Sequence, residues 1–135
     1  EKKVLAKYRL QQSRYRKELL LYWEGCSITK CLNSSLLIAS HIKPYSEAED
    51  REKYDLDNGL ILTPTFDKLF DRYLISFKDD GTIILSKRLD NVDLEYLKIT
   101  GEEVLRNEKI TPNIRKYLEH HRQKFEQKEN EVMNM

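Results

Sequence analysis

The sequence predicts an α+β fold. Three observations carry that prediction. Both ends show helical spacing, the middle holds short apolar runs bounded by turn residues, and an Asp-Gly pair sits between two such runs. With 135 residues the chain has the usual size of one domain, and it is read as one, residues 1–135.

Residues 1–23 read as helix, with Leu5, Tyr8, Leu19, Tyr22 and Trp23 near helical spacing. Gly25 ends it, and 26–33 form a short loop or hairpin around Cys26 and Cys31. Residues 35–42 form a strand that Pro44 stops. The charged stretch 45–57 is a surface loop or short helix, and 58–62 form a second strand. Thr63-Pro64 opens a helix to about Arg72 or Tyr73: Thr63 is suited to cap it, and proline loses nothing at the first helical position. Residues 74–77 and 82–85 pair across Lys78-Asp79-Asp80-Gly81 as a hairpin. Short helical turns are expected at 93–97 and 102–105. Thr111-Pro112 starts a final helix over 112–128, with the residues from Lys128 onward frayed.

Charged residues make up 35% of the chain yet nearly cancel, at +1 overall, so net charge announces no partner. Their distribution says more. Residues 1–31 hold eight Lys or Arg against three Glu, while 44–58 hold six acids against Arg51 and Lys53. The basic front end is suited to phosphates, though a solvated helix surface would look the same. Two cysteines are too few for a four-ligand zinc site and suit a reduced, cytoplasmic protein. No apolar run approaches the roughly 20 residues that span a bilayer. Starting at Glu1 inside a helical pattern, the chain is expected to be the C-terminal domain of a longer protein.

The middle of the chain reads strand, loop, strand, helix, and each piece contributes a conspicuous polar residue. His41 ends the first strand, Asn58 opens the second, and Asp67 and Asp71 lie on the helix. Residues i and i+4 are neighbours on a helix surface, so both carboxylates can point to one place. Side by side they repel by a few tenths of a kcal/mol, a sign that a divalent cation would reverse. Oxygen ligands suit Mg²⁺ or Mn²⁺ better than Zn²⁺. The plain alternative is two solvated acids paired with Lys68 or Arg72. Likewise a lone strand-end histidine is more often structural than catalytic.

Taken together, Ala39-Ser40-His41-Ile42-Lys43-Pro44-Tyr45, Asp57-Asn58-Gly59-Leu60-Ile61-Leu62 and Phe66-Asp67-Lys68-Leu69-Phe70-Asp71-Arg72 resemble the HNH endonucleases, the ββα-metal fold, over a core of about 15–86. The closest branch has a Ser-His-Ile or Ala-His-Ile start and is common among restriction-type endonucleases. Tyr15-Arg16, Leu19-Leu20, Cys26 and Thr29 upstream resemble it too, as do Tyr117-Leu118, His121-Arg122 and Phe125 in the tail. The resemblance implies a ββα core flanked by N- and C-terminal helices. It makes His41 the general base that activates water, Asn58 the residue that holds the loop, and Asp67 and Asp71 the ligands of one divalent metal. Ser40 stands where a further ligand usually sits. Lys43 and Arg72 are expected to contact phosphates, and His120 and His121 to have surface or packing roles.

The expected function is DNA endonuclease in restriction of foreign DNA, with specificity supplied by other domains of the full-length protein and a homodimer as a way to cut both strands. The alternatives are an inactive HNH-like DNA-binding domain, an RNA-directed or toxin nuclease, and a plain interaction domain.

Overall fold

The structure, a computed structural model, describes residues 1–133. Helix α1 (Lys2–Trp23) leads to strand β1 (Ile38–His41), a long loop, strand β2 (Gly59–Leu62) and helix α2 (Pro64–Asp71). The hairpin β3 (Ile75–Phe77) and β4 (Ile83–Leu85), helix α3 (Asn91–Leu97) and helix α4 (Pro112–Met133) complete the chain. The α+β fold with a ββα core and flanking helices is therefore present.

β1 and β2 pair antiparallel, with His41 opposite Gly59 and Ser40 opposite Leu60. All four residues of β2 are buried, and α1 and α2 both pack on the ribbon. The outer edge of β2 is covered: Ser27 donates its N–H to the Ile61 carbonyl (2.7 Å) and accepts the Ile61 N–H on its hydroxyl (3.0 Å).

Helix α1 buries Tyr15, Leu19 and Trp23, one side chain per turn on one face. Burying Leu19 alone is worth about 1.5–3 kcal/mol. Leu5 and Tyr8, read above as part of the apolar stripe, are exposed because the first ten residues of α1 run past the core. The Tyr15 hydroxyl donates to the Asn58 carbonyl (2.7 Å), and the Trp23 indole N–H to that of Gly59 (3.1 Å). A Cβ at Gly59 would lie 2.3 Å from the Tyr15 hydroxyl and 2.6 Å from Leu19 Cδ1, so only glycine lets α1 approach this closely. Arg106 closes the other end of α1 by donating to the Trp23 carbonyl (2.5 Å).

In α2, Phe66, Leu69 and Phe70 face the core, leaving Asp67 and Asp71 on another side. Thr63 stands at the N-cap, but its hydroxyl makes no capping bond; its carbonyl accepts the Asp67 N–H (2.8 Å). Thr111 does cap α4, accepting from Ile114 N–H (3.0 Å). Helix α2 is followed by Tyr73 in the left-handed region (φ 57°) while Leu74 N–H reaches the Leu69 carbonyl (2.9 Å). Glycine usually takes that position, and a non-glycine costs roughly 1 kcal/mol there.

Three expectations need correction. Residues 34–36 are a 3₁₀ turn, so the first strand starts only at Ile38. Residues 102–105 are not helical: Val104 bridges Thr82, and Leu105 N–H bonds the Gly81 carbonyl (2.8 Å), adding an edge to β4. Helix α4 continues through Met133 instead of fraying at Lys128, helped by Glu129, whose carboxylate accepts from the Ser86 hydroxyl and the Lys87 N–H. Residues 134–135 lie outside the described residues. Cys26 is buried, Cys31 half-buried, and both are free thiols. No helix among the described residues is long and apolar enough to cross a membrane.

Candidate active site

The site begins at the end of β1, where the chain leaves the ribbon for the loop that returns at Asn58. That loop is short of apolar anchors, and Asn58 supplies polar ones. Its carbonyl oxygen accepts the Lys43 N–H (2.7 Å), and its amide donates to the carbonyls of Lys43 and Glu52 (both 3.1 Å). Asn58 is wholly buried, so these bonds act where water cannot replace them.

Fixing Glu52 fixes the next carbonyl, that of Lys53, and His41 Nε2 lies 2.6 Å from it. A carbonyl only accepts, so Nε2 carries the proton and Nδ1 the lone pair. The ring is stacked on Tyr15 at 4.6 Å between centroids, tilted 18°, and Tyr45 meets it edge-on at 5.8 Å. Burial lowers the His41 pKa below its ordinary value, partly opposed by the Lys53 carbonyl. At neutral pH the imidazole is an uncharged base.

His41, Asp67 and Asp71 line one cleft of about 550 Å³, with Ser40, Tyr45 and Tyr73 among its other walls. The Ser40 hydroxyl donates to Asp67 Oδ1. It therefore acts on the cleft through the carboxylate. Asp67 and Asp71 form no ion pair with Lys68, Arg72 or any other cation among the described residues. No group of three or more His, Cys, Asp or Glu suited to a metal forms among the described residues. Two hard carboxylates on a cleft wall do fit a cation such as Mg²⁺, which retains several waters.

Neither Lys43 nor Arg72 lines this cleft. Lys43 is bound to Glu52 (2.8 Å), an attachment that also holds the Glu52 carboxyl below its ordinary pKa. Arg72 is exposed on the far end of α2.

His121 is buried at the base of the cleft. It lies 3.8 Å over the Phe70 ring and 4.5 Å from that of Tyr73, between the Ser76 hydroxyl (2.8 Å) and the Phe70 carbonyl (3.0 Å). This is a packing role, and burial pushes its pKa down to about 4. His120 stays half-exposed, 3.7 Å from Glu47. Sequence reasoning missed Tyr45 and Tyr73 in the cleft, and it named Tyr15 only through resemblance. The four-residue spacing of Tyr15, Leu19 and Trp23 was the available signal for Tyr15.

Residues 26–78 match the family model described as HNH endonuclease. This segment, which holds the ββα part of the fold, is similar to an HNH core. The match spans His41, Asn58, Asp67 and Asp71 and leaves out α1 and α4. An HNH core indicates nuclease activity on nucleic acid. No curated protein matches the chain.

Proposed function

We propose that this HNH domain is a metal-dependent DNA endonuclease in which His41 is the general base and Asp67 and Asp71 hold one Mg²⁺ or Mn²⁺. The observation that supports this best is the shared cleft: an uncharged imidazole with its tautomer set by the Lys53 carbonyl stands with two acids that have no cationic partner.

His41 Nδ1 takes a proton from water as the water oxygen bonds phosphorus and the P–O3′ bond breaks, and the leaving 3′ oxygen takes a proton from a second water, which gives a 5′-phosphate and a 3′-hydroxyl. Such base catalysis contributes on the order of 10²–10⁴-fold. The divalent ion, when bound, supplies charge for the phosphate and the leaving oxygen. Asn58 keeps the Lys53 carbonyl in place through Glu52, Tyr15 supports the ring from beneath, and Ser40 orients Asp67. Restriction of foreign DNA is the proposed role, on the resemblance to that branch, with other domains or a second copy adding specificity and the second cut.

A cleavage assay tests the reading. Plasmid DNA should be cut with Mg²⁺ or Mn²⁺ and left whole with EDTA, while an RNA of equal length is cut more slowly. No cleavage of either would overturn it. A second reading, a DNA-binding relative without activity, draws on Ser40 and on the absence of a third metal-type side chain among the described residues. It predicts no heat of Mn²⁺ binding in calorimetry.

A further inference from the structure

Seven of the chain's 24 Lys and Arg, and none of its 23 Asp and Glu, fall in residues 2–17. All seven lie on α1. Arg16 is committed to the fold, donating to the carbonyls of Leu37 (2.5 Å) and Ser34 (2.6 Å). Lys2, Lys3, Lys7, Arg9, Arg14 and Lys17 are exposed, and their side chains have no hydrogen bond or ion pair among the described residues. Among the cations elsewhere, Arg88 is paired with Glu129, Lys109 with Glu24 and Arg122 with Asp79. Like charges three and four residues apart on a helix repel, by a few tenths of a kcal/mol each. No ion pair among the described residues relieves that repulsion on α1.

The charge also borders the cleft. Tyr45, which walls the catalytic cleft beside His41, also lines a second groove with Lys7, Tyr8 and Tyr54. Tyr8 meets Tyr45 edge-on at 5.8 Å. Tyr54 continues into a third depression with Arg14 and Glu18. Asp50, on the opposite wall, is already paired with Lys53 (3.2 Å), and Glu18 is the one acid on the helix side. A continuous path therefore leads from the catalytic cleft past Tyr45 to unmatched positive charge.

We propose that α1 is a nucleic-acid arm, with Lys7 and Arg14 holding backbone phosphates of the DNA strand that leaves the catalytic cleft past Tyr45. The proposal rests on the nuclease reading for its substrate. It adds which face of the molecule carries that substrate, and it assigns a phosphate-binding role to a helix outside the matched HNH segment. Such contacts give affinity without sequence preference and weaken as salt rises.

The test uses the full chain carrying His41→Ala, so that binding is read without hydrolysis, and a fluorescent DNA duplex titrated across salt concentrations. Lys7→Gln with Arg14→Gln should weaken binding several-fold and reduce the log–log salt slope by about 2, near 0.9 per phosphate contact. Lys78→Gln with Lys116→Gln removes equal charge from other faces and should leave the slope near that of the parent. Glutamine favours helix, and circular dichroism checks that α1 persists. An unchanged slope in the α1 variant, an equal loss in the control, or no binding by the parent would each overturn the arm. Absence of cleavage by the unsubstituted protein would instead overturn the nuclease reading.

Discussion

The ring of Tyr15 lies flat against His41, 4.6 Å away, while its hydroxyl holds the carbonyl of Asn58 at 2.7 Å. One side chain from the N-terminal helix thus touches both the proposed base and the residue that closes the loop. Burial pushes the phenol pKa well up, so it stays a neutral donor.

Tyr15→Phe keeps the stack and loses the bond. It should cost about 1 kcal/mol of stability and leave turnover nearly intact. Tyr15→Leu loses the stack as well, and an aromatic pair of this kind is worth about 0.5–1.5 kcal/mol. Its kcat should fall up to about tenfold with little change in KM, and the His41 ring should show a shifted NMR titration. Equal kinetics for the two variants would mean that the stack does not position the base.

Asn58 anchors the loop through three side-chain hydrogen bonds. Asn58→Asp keeps the size but cannot donate to the carbonyls of Lys43 and Glu52. We expect a loss of roughly 2–4 kcal/mol in urea unfolding. We expect cleavage to fail with it, because the Lys53 carbonyl that sets the His41 tautomer loses its support.

His121 gives a pH dependence with a definite sign. Its folded pKa of about 4 lies below the ordinary 6.5, so the unfolded chain binds the proton more readily. The stability contribution is complete above about pH 6.5 and is lost as pH falls toward 4, on the order of 3 kcal/mol in all. The melting temperature should decline over that window, before most carboxylates titrate, and NMR should find His121 neutral at pH 6. A His121 titration near 6.5 would contradict the buried packing role.

The two carboxylates on α2 make opposite predictions with and without metal. Without it, Asp71→Asn should stabilise slightly, by a few tenths of a kcal/mol, through removal of like-charge repulsion. With Mn²⁺, the unsubstituted protein should melt higher, since a ligand that binds only the folded state stabilises it. Asp67→Ala and Asp71→Asn should each erase that rise. Ser40→Asp, which adds an oxygen ligand beside Asp67, should strengthen it.

The strand–loop–strand–helix order was legible because its signals are local: proline at 44 and 64, Asn-Gly at 58–59, and apolar runs between them. The shared face of Asp67 and Asp71 followed from helical spacing alone. Contacts made across the fold were not legible. The Tyr15 bond to Asn58 spans 43 residues, and the spacing of Tyr15, Leu19 and Trp23 marks an apolar face of α1 without telling which loop residue it meets. The same cause misplaced Leu5 and Tyr8, which have helical spacing but no core beneath them. Residues 102–105 pair with the chain just before β4 through a single bridge, Val104 with Thr82, too short a pairing to need strand alternation in the sequence. The ion pair of Lys43 with Glu52 depends on loop closure by Asn58, so a side chain expected to meet phosphate is held by its own loop.

The central claim is that His41 removes the proton from the attacking water. The most direct measurement compares single-turnover cleavage of a DNA duplex, with Mn²⁺ at neutral pH, by the unsubstituted protein and by His41→Ala, both verified as folded. A loss of about 10²–10⁴-fold is predicted, with duplex affinity retained. In the active protein the rate should rise with pH as His41 deprotonates, through a value below its ordinary pKa of 6.5, and level off by neutrality. Cleavage by His41→Ala at a rate close to that of the unsubstituted protein would contradict the account.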